Sequence, residues 1–462
     1  MARCFHPAYA ITLFFITFGC HAMSANHEES KYFAPGCVRA CAELSAEFGD
    51  AFHYGDNDPD FTVWELKQQE ARPACRVEPV TAAQVAGGHS TNFDASNSAG
   101  GVTIDLHNMD HIRLSDDQTW ADLGPGLVFG EAYEALEKHN LTFVGGRYGL
   151  AVDNVYEYEV VLSNGTIVTA NQTTNPDLYF ALRGGGNNFG IVTNFRVRVV
   201  PQVQLLSGDV TFHSDSTDQI VDQVYQLTTN LADDTYMCFS SRYAYSQTQD
   251  VFQISVTPAY YEPVLKPPVF DALNEIPYES STVRVDWMSN FASESVAPHG
   301  LRRVYATLTY KPSRELHKKL LDIFSDEVEG VKATPGFTSS VVIQALHINA
   351  IKAMKERGGN ALGVESDTPL NIALLTLGWS YSDDDKAMYA YADRWVQKTK
   401  AEAEKMDLLH PWLYINHANH NQDPFSGYGE ENKRTLQRIQ KSVDPKGVFT
   451  STGLCRGSFK VL

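Results

Sequence analysis

The chain has 462 residues, 43% of them hydrophobic and 20% charged, and a formal net charge of −19. That is the composition of a folded globular protein long enough for two domains. The strong negative charge excludes nucleic acid and anionic membrane surfaces as natural partners.

Residues 1–25 read as a secretory leader: one arginine and no acid up to Ala10, a short apolar run from Ile11 to Gly19, then small residues suited to cleavage. The run is too short to span a bilayer stably, and no other apolar run is long enough to cross one. A buried N-terminal helix is the alternative. The expectation is a secreted protein without membrane association. Beyond the leader lie Cys37, Cys41, Cys75, Cys238 and Cys455. An oxidising route favours one or two disulfides, and the odd count leaves at least one cysteine free or paired between chains. N-x-Thr sequons make Asn140, Asn164 and Asn171 candidate glycosylation sites.

Cys37 to Phe48 is an amphipathic helix candidate, and Ala74 to Pro79 looks like a strand ended by proline. Thr81 to Gln84 forms a capping box, yet Gly87 follows three residues later and leaves the helix no room. The turn Gly87-Gly88-His89-Ser90 presents a histidine, and backbone N–H groups in such a turn can hold a phosphate. An ordinary loop is the competing reading. Strands are expected at Gly101–Leu106, Ile112–Leu114 and Trp120–Gly126, and a helix at Phe129–His139. A second glycine turn, Val144-Gly145-Gly146-Arg147, comes next. Ser163-Asn164-Gly165 then turns a hairpin between Asn154–Leu162 and Gly165–Ala170. A helix from Asn175 to Leu182 stops at a third glycine cluster, Arg183 to Gly190, before the strand Ile191–Val200. Three glycine turns within about a hundred residues suggest one extended phosphate-bearing ligand lying across several loops.

From about Leu205 to Trp379 longer strands appear, at Tyr236–Tyr245, Val251–Tyr261, Val283–Trp287, Val304–Tyr310, Thr338–Ile348 and Ile372–Trp379. Helices interleave at Thr217–Asn230 and Arg314–Val328, which predicts a second α+β domain with a largely antiparallel sheet. A charged helix follows at Asp383–Met406. The tail holds a short strand carrying Tyr414 and Asn416, a helix at Glu430–Ser442, and Asp444-Pro-Lys-Gly447.

Taken together, Pro73-Ala-Cys75, Gly87-Gly-His-Ser90, Thr103-Ile-Asp-Leu106, Gly124-Pro-Gly126, Val144-Gly-Gly-Arg147, Asp153-Asn-Val155, Ala181-Leu-Arg-Gly-Gly-Gly186 and Phe189-Gly-Ile-Val-Thr193 resemble a fungal FAD-linked oxidoreductase of the berberine-bridge-enzyme-like group. Tyr414-Ile-Asn416, Gln422-Asp-Pro424, Tyr428 to Asn432, Asp444-Pro445 and Gly447-Val-Phe449 agree. The resemblance implies an α+β fold in which a PCMH-type FAD domain (26–203) is completed by the C-terminal segment (401–462), with a substrate domain (204–400) between. It implies FAD held covalently through His89, with no second link because Val144 to Arg147 lacks a cysteine. The family resemblance places Gly87, Gly88, Ser90, Gly145, Gly146, Arg147, Gly185, Gly186, Gly190, Ile191 and Val192 at the cofactor. It pairs Cys41 with Cys75, and it sets Tyr414 and Asn416 on the substrate side. Two residues apart on a strand, that pair would share one face. A phenol of unperturbed pKa about 10 needs help to act as a base. His417 stands where the family often has tyrosine and is an alternative base, a surface histidine being its bland reading. Asn419 stands where the family often has aspartate.

Two family segments are missing: a helix and strand before Gly87, and a glycine-rich stretch between Arg147 and Tyr148. The implied protein is a secreted oxidase or dehydrogenase of a small metabolite or sugar-like alcohol, monomeric, with molecular oxygen as acceptor. The alternative is a non-redox descendant that keeps the scaffold as a binding protein or cyclase. A carbohydrate-binding surface glycoprotein, resting on secretion and aromatic content, comes last.

Overall fold

The computed structural model describes residues 16–18, 35–55, 58, 63–80, 91–92, 95, 97–145, 150–230, 234–294, 299–450 and 457–462. Three sheets organise them. The smallest runs in the order Ile16–Phe18, Val102–Ile104, Cys75–Val77, Phe52–Tyr54, with only Cys75–Val77 and Val102–Ile104 parallel. Ile16–Phe18, inside the stretch expected to be a leader, is thus paired with Val102–Ile104. Helix Pro35–Phe48 is tied to this sheet by the Cys41–Cys75 disulfide, Cα atoms 5.9 Å apart, as the family resemblance implied. Cys37 is also disulfide-bonded, and Cys238 is buried and free.

The second sheet is antiparallel around the long strand Ile191–Pro201, flanked by Trp120–Leu123 and Val155–Val161. The hairpin expected at Ser163-Asn164-Gly165 forms there between Val155–Val161 and Ile167–Asn171. Helices Phe129–Glu137 and Pro176–Leu182 bury Tyr133, Leu136, Leu178 and Tyr179 in its core. Trp412, Phe425, Tyr428, Leu436 and Ile439 join the same core from the far end of the chain. The C-terminal segment therefore packs into the core beside the second sheet.

The third sheet has ten strands, all antiparallel. Its strands alternate cleanly. Val304, Ala306, Leu308 and Tyr310 enter the second core, as do Val341, Ile343, Ala373 and Leu375. That face is covered by helices Thr217–Asn230, Arg314–Glu329 and Asp385–Lys405, whose apolar stripes meet it. The opposite face carries Ser240, Gln344 and Thr309 in one cross-strand row and Ser340, Thr376 and Tyr305 in another.

Two boundaries differ from expectation. Residue 400 lies inside helix Asp385–Lys405, whose Ala403 belongs to the second core, and the chain returns to the first core only at Trp412. The boundary moves because a helix does not break where its buried face continues. The link between strands Thr338–Leu346 and Leu370–Trp379 also leaves its own domain, placing Ile351, Met354, Leu362 and Val364 in the first core.

Candidate active site

Helix Pro176–Leu182 ends in the turn Gly184-Gly185-Gly186, where the Gly185 N–H donates to the Ala181 carbonyl at 2.8 Å. A side chain at Gly185 would collide with the Phe189 ring and would stand 2.5 Å from the Ala181 carbonyl oxygen. Gly186 differs: its φ is +63°, and a Cβ there would meet only Ile415 Cδ1 at 3.5 Å and Asn188 Nδ2 at 3.8 Å. Gly185 is therefore required by packing, while Gly186 opens toward the C-terminal segment. Gly190, at φ +151°, lies against Val160 and the Val161 carbonyl. Ile191 and Val192 bury their side chains and pair with Val161 and Val160, so only their backbone is left to approach a ligand. Gly145 sits against Tyr133 and Phe129. Gly87, Gly88, His89, Ser90, Gly146 and Arg147 lie outside the described residues, as do the capping box at Thr81 to Gln84 and both junctions where family segments are missing.

Across from Gly186 is the C-terminal turn. Tyr414 and Asn416 do not lie on a strand, as the sequence led us to expect; Ile415–His417 is a single 3₁₀ turn. The turn still joins them, because Asn416 Nδ2 donates to the Tyr414 hydroxyl at 3.1 Å. Burial pushes the Tyr414 phenol above its ordinary value, against the smaller pull of that bond, so it stays protonated at neutral pH. Tyr428 holds the segment in place by donating to the Gly184 carbonyl at 2.9 Å.

His417 is not a surface histidine. Only 5% exposed, it packs edge-on to Tyr414, ring centroids 4.7 Å apart, and more loosely against Tyr305 of the third sheet at 6.4 Å. Burial drives its pKa down to about 3, so it is neutral at physiological pH. Among the described residues, His417 Nδ1, Asn419 Nδ2 and Trp412 Nε1 are buried without a hydrogen-bond partner. Such groups are usually paired in a folded protein, and these three lie within one eight-residue stretch, 412–419.

Sequence reasoning missed the opposite wall. Tyr305, Val342 and Leu374 form a small buried cluster on the polar face of the third sheet, and Trp64 packs on it with the Arg303 guanidinium over its ring at 4.8 Å. The available signal was period-two polarity in long strands, where Arg303, Tyr305, Thr307 and Thr309 alternate with Val304, Ala306, Leu308 and Tyr310.

The family known as FAD binding domain matches residues 68–146. The FAD-dependent monooxygenase tpcD of Cochliobolus heterostrophus is 31% identical to this chain, with 92% of this chain and 93% of that protein aligned. The chain belongs to the berberine-bridge-enzyme-like FAD-linked oxidoreductases. Two solved structures share its fold: berberine bridge enzyme from Eschscholzia californica (TM-score 0.70, 16% identical, 89% of this chain and 97% of that one) and xylooligosaccharide oxidase from Myceliophthora thermophila C1 (TM-score 0.70, 19% identical, 89% and 98%). The tpcD alignment spans 488 positions although this chain has only 462 residues, so the relative carries residues within it that this chain lacks.

The described residues fit a flavin at this place. Gly186 opens toward Ile415 in the turn that carries Tyr414 and His417, and His417 meets Tyr305 on the polar face of the third sheet. Among the sequon asparagines, Asn140 and Asn164 are exposed. Asn171 is half-buried, with Nδ2 bonded to Glu157 at 2.7 Å and Oδ1 accepting from the Thr174 N–H at 2.7 Å.

Proposed function

We propose that this protein is a secreted oxidase that removes two electrons from a small hydroxylated metabolite and uses molecular oxygen as acceptor. One observation carries the reading: Gly186 opens toward Ile415, in the same turn whose Asn416 bonds the Tyr414 hydroxyl and whose His417 packs between Tyr414 and Tyr305 of the third sheet. Two-electron acceptance is the chemistry a bound flavin supplies. The residues that would hold it are His89, as covalent link, with the backbone of Gly87, Gly88, Ser90, Gly145, Gly146, Gly186, Gly190, Ile191 and Val192 and with Arg147. The similarity to tpcD, named as a monooxygenase, supports oxygen as co-substrate.

This chain's own residues handle the proton. Asn416 donates to the Tyr414 oxygen, a bond that strengthens when that oxygen is negative, so Tyr414 can take the substrate hydroxyl proton as its phenolate. The raised phenol pKa makes turnover climb on the alkaline side. His417, neutral and unprotonated at Nδ1 or Nε2, offers a hydrogen-bond acceptor to the same hydroxyl. Tyr414→Phe should slow turnover by about two orders of magnitude or more, with the alkaline rise abolished.

The decisive experiment is the visible spectrum of the secreted protein before and after acid precipitation. Flavin bands that stay with the pellet, and that His89→Ala releases, establish the covalent reading. The second reading, a non-redox descendant, is favoured by the residues this chain lacks relative to tpcD; a colourless folded protein would select it. Sequencing the N-terminus of the secreted protein tests cleavage near residue 25, and sedimentation tests the monomer.

A further inference from the structure

The outer edge of strand Arg302–Tyr310 in the third sheet is closed by a second strand over only two residues, Thr309 and Tyr310, which pair with His410 and Leu409. Further along, side chains take over. Glu65 Oε1 accepts from the Arg303 N–H at 2.8 Å, and Lys67 donates to the Arg303 carbonyl. At Thr307, 0% exposed, the partner is the Gln422 carboxamide: its Oε1 accepts from the Thr307 N–H at 3.0 Å, and its Nε2 donates to the Thr307 carbonyl at 2.8 Å. A carboxamide carries the donor and the acceptor of a peptide group, so Gln422 stands in for one residue of a partner strand. The same Oε1 also accepts from the Asn419 N–H at 3.0 Å, and the Asn419 carbonyl accepts from the Gln422 N–H at 2.9 Å. Asn419 lies two residues beyond His417, and Thr307 two beyond Tyr305. A separate anchor ties the loop to helix Asp385–Lys405, where Asn421 Nδ2 donates to Asp393 at 2.6 Å.

We propose that Gln422 is a positioning residue for the candidate active site, fixing the turn that carries Tyr414 and His417 to the strand that carries Tyr305. It rests on the role of Tyr414 and His417 proposed above. The two backbone groups of Thr307 are buried, so leaving them unpaired is costly and the glutamine is held firmly in place. From its amide the path to His417 is short and runs through one closed turn. The strand thereby sets how far His417 stands from Tyr305, ring centroids 6.4 Å apart. Groups that exchange a proton with a substrate depend on such spacings, since a misplacement of about 1 Å can cost about a hundredfold in rate. Gln422 acts on the site through Asn419 and the strand.

The test uses the full chain, isotope-labelled at histidine, and follows the ring nitrogens of His417 by NMR from pH 8 to pH 5; His417→Gln identifies its signals. Buried against the Tyr414 and Tyr305 rings, the wild-type imidazole has a pKa of about 3 and stays neutral across this range. In Gln422→Ala the released turn lets water reach the ring, and its midpoint should climb toward the ordinary value of about 6.5, into the measured range. Gln422→Met, which keeps the bulk without the bonds, should do the same and carries the test if Gln422→Ala fails to fold. Asn421→Ala cuts the anchor on helix Asp385–Lys405 and should lower the urea midpoint with His417 still neutral at pH 5. The proposal is overturned if His417 stays neutral to pH 5 in a folded Gln422 variant, or if Asn421→Ala moves it as far. The titration needs neither flavin nor substrate, so it stands apart from the role assigned to the site: unchanged turnover in Tyr414→Phe would sink that role and leave the titration result as it is.

Discussion

Replacing Lys67 by methionine isolates the energetics of the contact between the two domains. Lys67 and Glu65 are 2% and 0% exposed, and Lys67 Nζ lies 3.5 Å from Glu65 Oε1 and 2.9 Å from the Tyr389 hydroxyl. It also stands over the rings of Trp379 and Tyr389, at 5.4 and 5.1 Å. Attraction across 3.5 Å is worth about 5 kcal/mol at an effective dielectric near 20, which roughly offsets the several kcal/mol spent desolvating the two ions. The pair is then close to neutral as a unit, but Lys67→Met strands a buried carboxylate and should cost about 3–5 kcal/mol. Burial already raises the Glu65 pKa, and the lysine is the chief force opposing that rise. Without it the carboxyl is pushed up further. A raised carboxyl pKa stabilises the fold when protonated and loses that contribution as pH rises, so the variant should be hurt more at pH 8 than at pH 5. Urea melts followed by tryptophan fluorescence, at both pH values, measure this for Lys67→Met, Glu65→Gln and the double variant. The double variant should be markedly more stable than the sum of the single losses implies. Strict additivity, or equal losses at the two pH values, would refute the reasoning.

The remaining predictions concern other parts of the chain. His317, 3% exposed, has its pKa driven down to about 4 by burial. Its contribution of about 3 kcal/mol is complete above pH 6.5 and disappears as pH falls toward 4; His317→Leu should flatten the acid limb of the stability profile. The Cys41–Cys75 disulfide closes a loop of sequence separation 34. The double Cys41→Ser/Cys75→Ser variant should lose up to about 4 kcal/mol on the chain-entropy account, and a midpoint unchanged by the double substitution would contradict it. At Gly190 an added methyl would sit 2.6 Å from Val160 Cγ1 at φ +151°. Gly190→Ala should cost about 2 kcal/mol or more, read as a fall in the urea midpoint.

The sequence by itself determined the elements whose signal is local. Helix Thr217–Asn230 and strand Val251–Tyr260 fall almost where periodicity puts them, because an apolar stripe or an alternating strand is written in consecutive residues. The turn at Ser163-Asn164-Gly165 was legible for the same reason, since a three-residue hairpin loop closed by the Gly165 N–H on the Leu162 carbonyl needs its glycine at φ +81°. The family motifs named the cofactor and the Cys41–Cys75 pair. The Tyr414–Asn416 pairing was legible, but the strand assigned to it was not real: segments as short as Ile415–His417 have no period to read. Tertiary structure alone decided the rest. Burial turned His417 from a candidate base into a neutral acceptor, because desolvation depends on neighbours such as Tyr305, more than a hundred residues away in the chain. It also sent Leu362 and Val364 into the core beside the second sheet and placed Trp64 against the polar face of the third sheet. A side chain's charge state and partners belong to its surroundings, and for this site those surroundings are assembled from four distant stretches of chain.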